Sequence, residues 1–244
     1  MTQKKTWILY LLAGGMAAFL LTGCGSKTTA SQAAGTEAKE NVQENAEQAA
    51  EQMQGTESAW TGGSKSSILI VYFAVAENSD VDAVSSASVV TVNGVAKGRM
   101  QYLAELIQGE TGGDLFSIQT AVDYPGDGGE LIDYAAKEQD DDVRPELVNH
   151  IENFDQYDVV FVGYPTWWYD LPQVMYSFFD EYDFSGKTII PFNSHNGSRF
   201  SGTIETIAEL EPEAEVITAG FTVNERDVAD AGADIADWLR GLGF

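Results

Sequence analysis

The chain has 244 residues, enough for one domain of ordinary size plus an appended segment, and 44% of them are hydrophobic, which permits a packed core. Its formal net charge is −25, which argues against nucleic acid and against direct adhesion to anionic lipid, because both partners are negative. One cysteine, Cys24, and two histidines, His150 and His195, leave no disulfide framework and no ready zinc ligand set.

Residues 1–23 read as an export signal. Lys4 and Lys5 supply a positive start. The apolar run 7–21, interrupted by Gly14 and Gly15, is shorter than the roughly 20 residues of a comfortable membrane span. It closes on Leu21, Thr22, Gly23 and Cys24, which resembles the bacterial lipoprotein signal. That resemblance implies cleavage before Cys24, lipidation of Cys24, and a domain anchored on the extracytoplasmic face of the cell membrane. An uncleaved anchor and an ordinary signal peptide are the other readings. Residues 24–66 are rich in Ala, Glu, Gln, Ser, Thr and Gly. They bury too little to offset the entropy of ordering, so a disordered tether is expected.

A folded domain is expected over 67–244. I-L-I-V-Y-F at 68–73 predicts a first buried strand. A long insertion follows, and V-V-T-V-N-G-V within it predicts a small hairpin turning at Asn93 and Gly94. Met100, Leu103, Ala104 and Ile107 stand at helical spacing over 98–108, with Gly109 as the stop. Residues 114–119 predict a second strand and 121–129 a loop. Residues 130–138 and 144–154 predict helices, separated by the acidic run Asp140, Asp141 and Asp142. Pro145 suits a first helical position, and His150 falls on a helix face in a structural role.

Residues 158–168 read D-V-V-F-V-G-Y-P-T-W-W. The run 159–162 suits a strand buried on both faces of a parallel sheet. The loop after it falls at the strand's carboxyl end, where open α/β sheets hold ligands. Trp167 and Trp168 there are either a wall for a flat ligand or cover for the sheet edge. Leu171 and Pro172 open a helix to about residue 180. Residues 188–193 predict the fourth strand, in which Pro191 removes one ladder donor. Residues 201–210 predict a helix with Ile204, Ile207 and Ala208 inward, and 214–219 the fifth strand. Asn224 would cap a last helix with the stripe Val228, Ala231, Ile235, Leu239 and Leu242. Strands alternating with helices predict an α/β domain, a doubly wound five-stranded parallel sheet.

The pieces I-L-I-V-Y-F, D-L-F-S-I, Y-P, R-P, D-V-V-F-V-G-Y-P-T-W-W, G-K-T-I-I-P-F and S-H-N-G-S, in that order, resemble the flavodoxin family over 67–244. The resemblance implies a flavodoxin-like fold with FMN at the carboxyl ends of the first, third and fourth strands. Pro165, Thr166, Trp167, Trp168 and Tyr169 would lie along one side of the flavin ring. Asn193, Ser194, His195, Asn196, Gly197 and Ser198 would lie along the other. The phosphate end departs from the family pattern. A Ser/Thr/Gly/Asn loop is expected directly after the first strand; here stand Ala74, Val75, Ala76 and Glu77, then the insertion. Lys97, Gly98 and Arg99 begin the helix instead, and Lys97 and Arg99 either hold a phosphate by charge or are ordinary surface residues. Glu77 would repel a phosphate. Tyr169 is a second departure, at a position usually small in the family; its ring would fill the cleft or point out.

The resemblance implies an FMN-binding carrier of electrons or a small reductase of quinone-type substrates. Its redox partner is unknown, and it would meet the membrane through the lipid anchor alone. The alternative is a non-catalytic ligand- or protein-binding module on the same fold that has lost FMN. A hydrolase is disfavoured, because Ser194 and His195 are neighbours that do not face each other and no G-x-S-x-G elbow exists.

Overall fold

The computed structural model describes residues 67–244. The expected export signal, the lipidation site Cys24 and the tether lie outside the described residues. The elements in order are β1 (Ile68–Tyr72), β2 (Val89–Val92), β3 (Val95–Gly98), α1 (Arg99–Thr111), β4 (Asp114–Ser117), α2 (Gly128–Asp140), β5 (Val159–Pro165), α3 (Gln173–Glu181), β6 (Thr188–His195), α4 (Thr203–Leu210), β7 (Glu215–Val216), β8 (Phe221–Asn224) and α5 (Gly232–Leu242).

The central sheet runs β4-β1-β5-β6, with β7 and β8 both beside β6. Every pairing within it is parallel. If β7 and β8 share one position, the strands stand in the flavodoxin-like order, and the winding reverses between β1 and β5. Every residue of β5 is buried, as a strand covered on both faces must be. Period-two alternation divides the core in two. Leu69, Val71, Val160 and Val162 pack with Leu131 of α2, Val174 and Phe178 of α3 and Ile207 of α4. Ile70, Phe161 and Ile190 pack with Leu103 and Ile107 of α1 and with Ile235 and Leu239 of α5. The stripe expected on the last helix is buried in full.

The expected hairpin is β2–β3, with Asn93 at φ 52 and Gly94 at φ 79, the backbone a two-residue turn of this hand requires. Other expectations are corrected. Residues 144–154 form no α-helix; Phe154 only opens the short 3-10 turn Phe154–Gln156. They run antiparallel to the segment after β4, where Val148 N–H donates to the Gln119 carbonyl (2.9 Å) and Ala121 N–H to the Glu146 carbonyl (2.9 Å). The Asn149 side chain adds a bond in each direction, to Gln119 N–H and the Ser117 carbonyl. These partners satisfy a backbone whose Pro, Asn and His content favours no helix. His150 therefore lies on no helix; it is exposed and paired to Glu181 through Nδ1 (2.6 Å). Gly109 does not stop α1, which continues to Thr111 and ends at Gly112. Ala208 faces solvent.

The fifth strand is interrupted, and Pro191 explains where. Thr188 N–H donates toward β5, to the Asp158 carbonyl. By alternation the residue 191 nitrogen faces the fifth strand, and proline has no hydrogen there. The strand breaks at that register: β7 pairs with Thr188 and Ile189, β8 with Phe192 to His195. Asn224 consequently ends β8 and accepts from Arg226 N–H (3.1 Å) rather than capping α5.

Candidate functional site

A cavity of about 670 Å3 opens at the carboxyl ends of β5 and β6, beside the point where the winding reverses. That size suits a small organic ligand. Its first wall is the loop after β5: Pro165, Thr166, Trp167 and Trp168. Its second is Ser194, His195 and Asn196 at the end of β6, with Glu225 just past β8. Arg99 at the start of α1 and the stretch Ser85, Ser86, Ala87 and Ser88 close a third side. Gly126, Asp127, Gly128, Leu131, Ile132 and Ala135, at and within the start of α2, close the fourth.

The two tryptophans do different work. Trp167 points inward and stacks edge-on against Phe73 at 5.7 Å and tilted against Tyr124 at 5.8 Å. Trp168 lies at the rim, half exposed, and its indole Nε1–H donates to the Ile132 carbonyl (3.1 Å), bridging β5's loop to α2. Asn193, fully buried, holds the two ligand-side loops together. Its Nδ2 donates to Thr166 Oγ1 (2.5 Å) and to the Arg199 carbonyl (3.0 Å).

Trp167 and Asp170 exchange backbone bonds of 3.0 and 2.9 Å, closing a two-residue turn on Trp168 and Tyr169. Both central residues have positive φ, 47 and 68. Such turns favour Asn and Gly, and a bulky side chain there costs about 1–2 kcal/mol. Tyr169 is 73% exposed and gains little burial in return. Tyr169→Gly is therefore expected to stabilise the fold by about 0.5–1 kcal/mol net of glycine's greater unfolded-state entropy. The measurement is the urea midpoint, which should rise at unchanged m; a lowered midpoint would show that the ring packs in solution.

His195 accepts a bond at Nδ1 from Gly197 N–H (2.8 Å), so the proton of the neutral ring sits on Nε2. Burial, assisted by Arg199, holds its pKa below the ordinary value, which favours that neutral form. Arg99 Nη1 donates to Glu225 Oε2 (2.8 Å), while Nε is buried without a partner. Its own N–H donates to the Ser88 carbonyl (2.9 Å), and Ala87 N–H donates to the Gly126 carbonyl (2.7 Å). These bonds fix the serine stretch between the starts of α1 and α2.

Of the residues anticipated from sequence, Arg99, Pro165, Thr166, Trp167, Trp168, Ser194, His195 and Asn196 meet at this cavity. Ala74, Lys97, Gly98, Tyr169, Asn193, Gly197 and Ser198 do not line it. Lys97 is turned to Glu105 (2.5 Å). Ala74 packs against Gly98 at the end of the hairpin, where a Cβ on Gly98 would lie 3.0 Å from that of Ala74. Tyr169 points out. Glu77 is also turned away, accepting from Ser117 Oγ (2.9 Å) and from the Tyr72 hydroxyl (3.4 Å). Sequence reasoning missed Ser85 to Ser88, Glu225 and the α2 residues. A run of three serines just before a hairpin and helix was the available signal.

The flavodoxin family's sequence pattern matches residues 83–241, well over half of the chain. A protein of Bacteroides eggerthii classed as a flavoprotein is 26% identical, with 70% of this chain and 98% of that one covered and a TM-score of 0.51. A similarly classed protein of Bacteroides uniformis is 22% identical over 72% of this chain and 98% of that one, with a TM-score of 0.54. A Lactobacillus acidophilus flavoprotein in complex with FMN is 15% identical, covering 69% and 99%, with a TM-score of 0.49. No curated protein matches. A sheet wound in flavodoxin order, with its cavity at the reversal of winding, thus agrees with the sequence pattern, and the chain belongs to the flavodoxin family.

Proposed function

We propose that this is a lipid-anchored, extracytoplasmic flavodoxin-like protein that binds FMN and passes electrons to a partner protein or a small quinone-type acceptor. The supporting observation is that the loops after β5 and β6 line one cavity at the switch point of the sheet. The lining fits the cofactor. Pro165, Trp167 and Trp168 offer apolar and aromatic surface to a planar ring, and Thr166, Ser194, His195 and Asn196 offer polar groups for its edge. At the other end Ser85 and Ser88 line the cavity together with Arg99, whose unpartnered Nε marks a donor without a protein acceptor. Those residues would meet the phosphate. A bound flavin would supply the electron-transfer chemistry.

The chain's own groups would bind and orient. Trp167, braced by Phe73 and Tyr124, keeps water from the inner wall. His195 holds a proton at Nε2 for hydrogen bonding at the polar edge. The net charge of −25 favours a basic docking partner and disfavours the equally negative NAD(P)H. The proposed anchor is acylated Cys24, in which more than one acyl chain gives stable attachment.

The deciding experiment is the visible spectrum of purified protein and the mass of what heat releases from it. Flavin absorption, or quenching of added FMN fluorescence, is expected. Colourless protein that leaves FMN fluorescence unchanged sinks this reading in favour of a binding module without flavin.

A further inference from the structure

Arg99 is the one permanently charged cation among the described residues that line the cavity, and it is already paired. Glu225 Oε2 accepts from its Nη1 at 2.8 Å, with only 23% and 29% of the two side chains exposed. Both backbones are fixed. Arg99 N–H bonds Ser88, and Glu225 N–H donates to the His195 carbonyl (2.8 Å). The ion pair is therefore preorganised rather than a chance surface contact. Asp127 adds a second carboxylate to the lining, although its Oδ1 is occupied in capping α2. The lining thus carries two carboxylates against one guanidinium, for a phosphate ester that would bring up to two negative charges.

Resting on the flavin reading above, we propose that Glu225 is a specificity-determining residue: by neutralising Arg99 it lets the cavity take FMN and its dephosphorylated form, riboflavin, with similar affinity. The ring and ribityl chain are common to both ligands, and the loops after β5 and β6 supply the same contacts to each. Only the phosphate differs. An unpaired guanidinium would reward it with a charge-assisted, bidentate bond. A guanidinium whose charge Glu225 offsets rewards it weakly: Nε is left to donate, but the carboxylate holds Nη1 and repels the newcomer. The Ser85 and Ser88 hydroxyls remain as neutral donors, which discriminate little between a phosphate and a terminal hydroxyl.

The test titrates the full-length chain, in mild detergent, against FMN and riboflavin by fluorescence quenching at low and high salt. Wild-type affinities are expected to lie within about tenfold of each other. In Glu225→Gln the FMN-to-riboflavin affinity ratio is expected to rise about tenfold at low salt and to fall back at high salt. A ratio taken on one preparation is insensitive to a misfolded fraction, and a thermal melt checks the fold. A wild-type preference for FMN above tenfold, or a ratio that Glu225→Gln leaves unchanged, overturns the proposal while leaving the flavin reading intact. Failure of both flavins to bind the wild type overturns that reading, and this proposal with it.

Discussion

Gly163→Ala is expected to cost about 3 kcal/mol, the upper end of what overpacking a core costs. Gly163 lies in β5 directly opposite Phe192 of β6. A Cβ there would lie 2.2 to 2.8 Å from three ring atoms of Phe192. Those are impossible contacts, so one of the two must move. Phe192 is fully buried among Ile190, Phe221 and the α5 residues, and the fixed spacing of the strands prevents β5 from withdrawing. At roughly 2–4 °C per kcal/mol for a domain of this size, Tm should fall by about 10 °C. The displacement also has a functional reading. Phe192 precedes Asn193, which ties Thr166 to the loop after β6, and Ser194, His195 and Asn196 follow at once. A second variant, Gly163→Ala with Phe192→Leu, should recover much of the loss by vacating the ring's position. If Gly163→Ala melts within 2 °C of wild type, roughly the shift of half a kcal/mol, the close approach is not rigid.

The central sheet was legible because its signal is local. Buried strands such as 159–162 are continuous apolar runs, and a run needs no partner to be recognised. The hairpin at Asn93 and Gly94 was legible for the same reason: its turn chemistry is carried by two adjacent residues. What failed depended on partners distant in sequence. Residues 146–148 bond through their backbone to Gln119 and Ala121, a pairing with a distant segment that their own stretch does not name. The break in the fifth strand is set by Pro191, one strand away. At the cavity, the loops after β5 and β6 were readable because each follows its strand without interruption. Ser85 to Ser88 and Glu225 were not, since the serines lie inside the long insertion after β1 and 126 residues separate Glu225 from Arg99. Lys97 looked equivalent to Arg99 in sequence, and only the register of β3 turns it to Glu105 instead.

Glu138→Gln is expected to flatten the pH dependence of stability between pH 5 and pH 9. Glu138 is only 5% exposed on α2, and its Oε2 has no hydrogen-bond partner. Burial pushes its pKa up to about 7, opposed only by the Tyr124 hydroxyl donating to Oε1 at 3.4 Å. Both observations describe an acid that stays neutral below about pH 7, since a charged carboxylate with an orphaned oxygen is costly to bury. The sign follows from the raised folded-state value. The stabilising contribution is fully present below the unfolded pKa of about 4.5 and is lost as pH rises through about 7. Each tenfold weakening of the acid is worth roughly 1.4 kcal/mol, so the loss is at most about 3 kcal/mol by pH 9. Glutamine stays neutral throughout, so the stability of Glu138→Gln relative to wild type should climb by that amount from pH 5 to pH 9. Its absolute value at pH 5 carries the separate cost of an amide in that pocket, and the other raised carboxyls, Glu77 and Glu211, cancel in the difference. Parallel curves for the two proteins would show that Glu138 ionises without penalty. The charge would be felt at the cavity as well. Tyr124 stacks against Trp167, and Leu131 and Ala135, earlier on α2, line the cavity. Ionising Glu138 strains the layer directly under the inner tryptophan, so ligand affinity in the wild type should weaken above pH 7 and hold steady in Glu138→Gln.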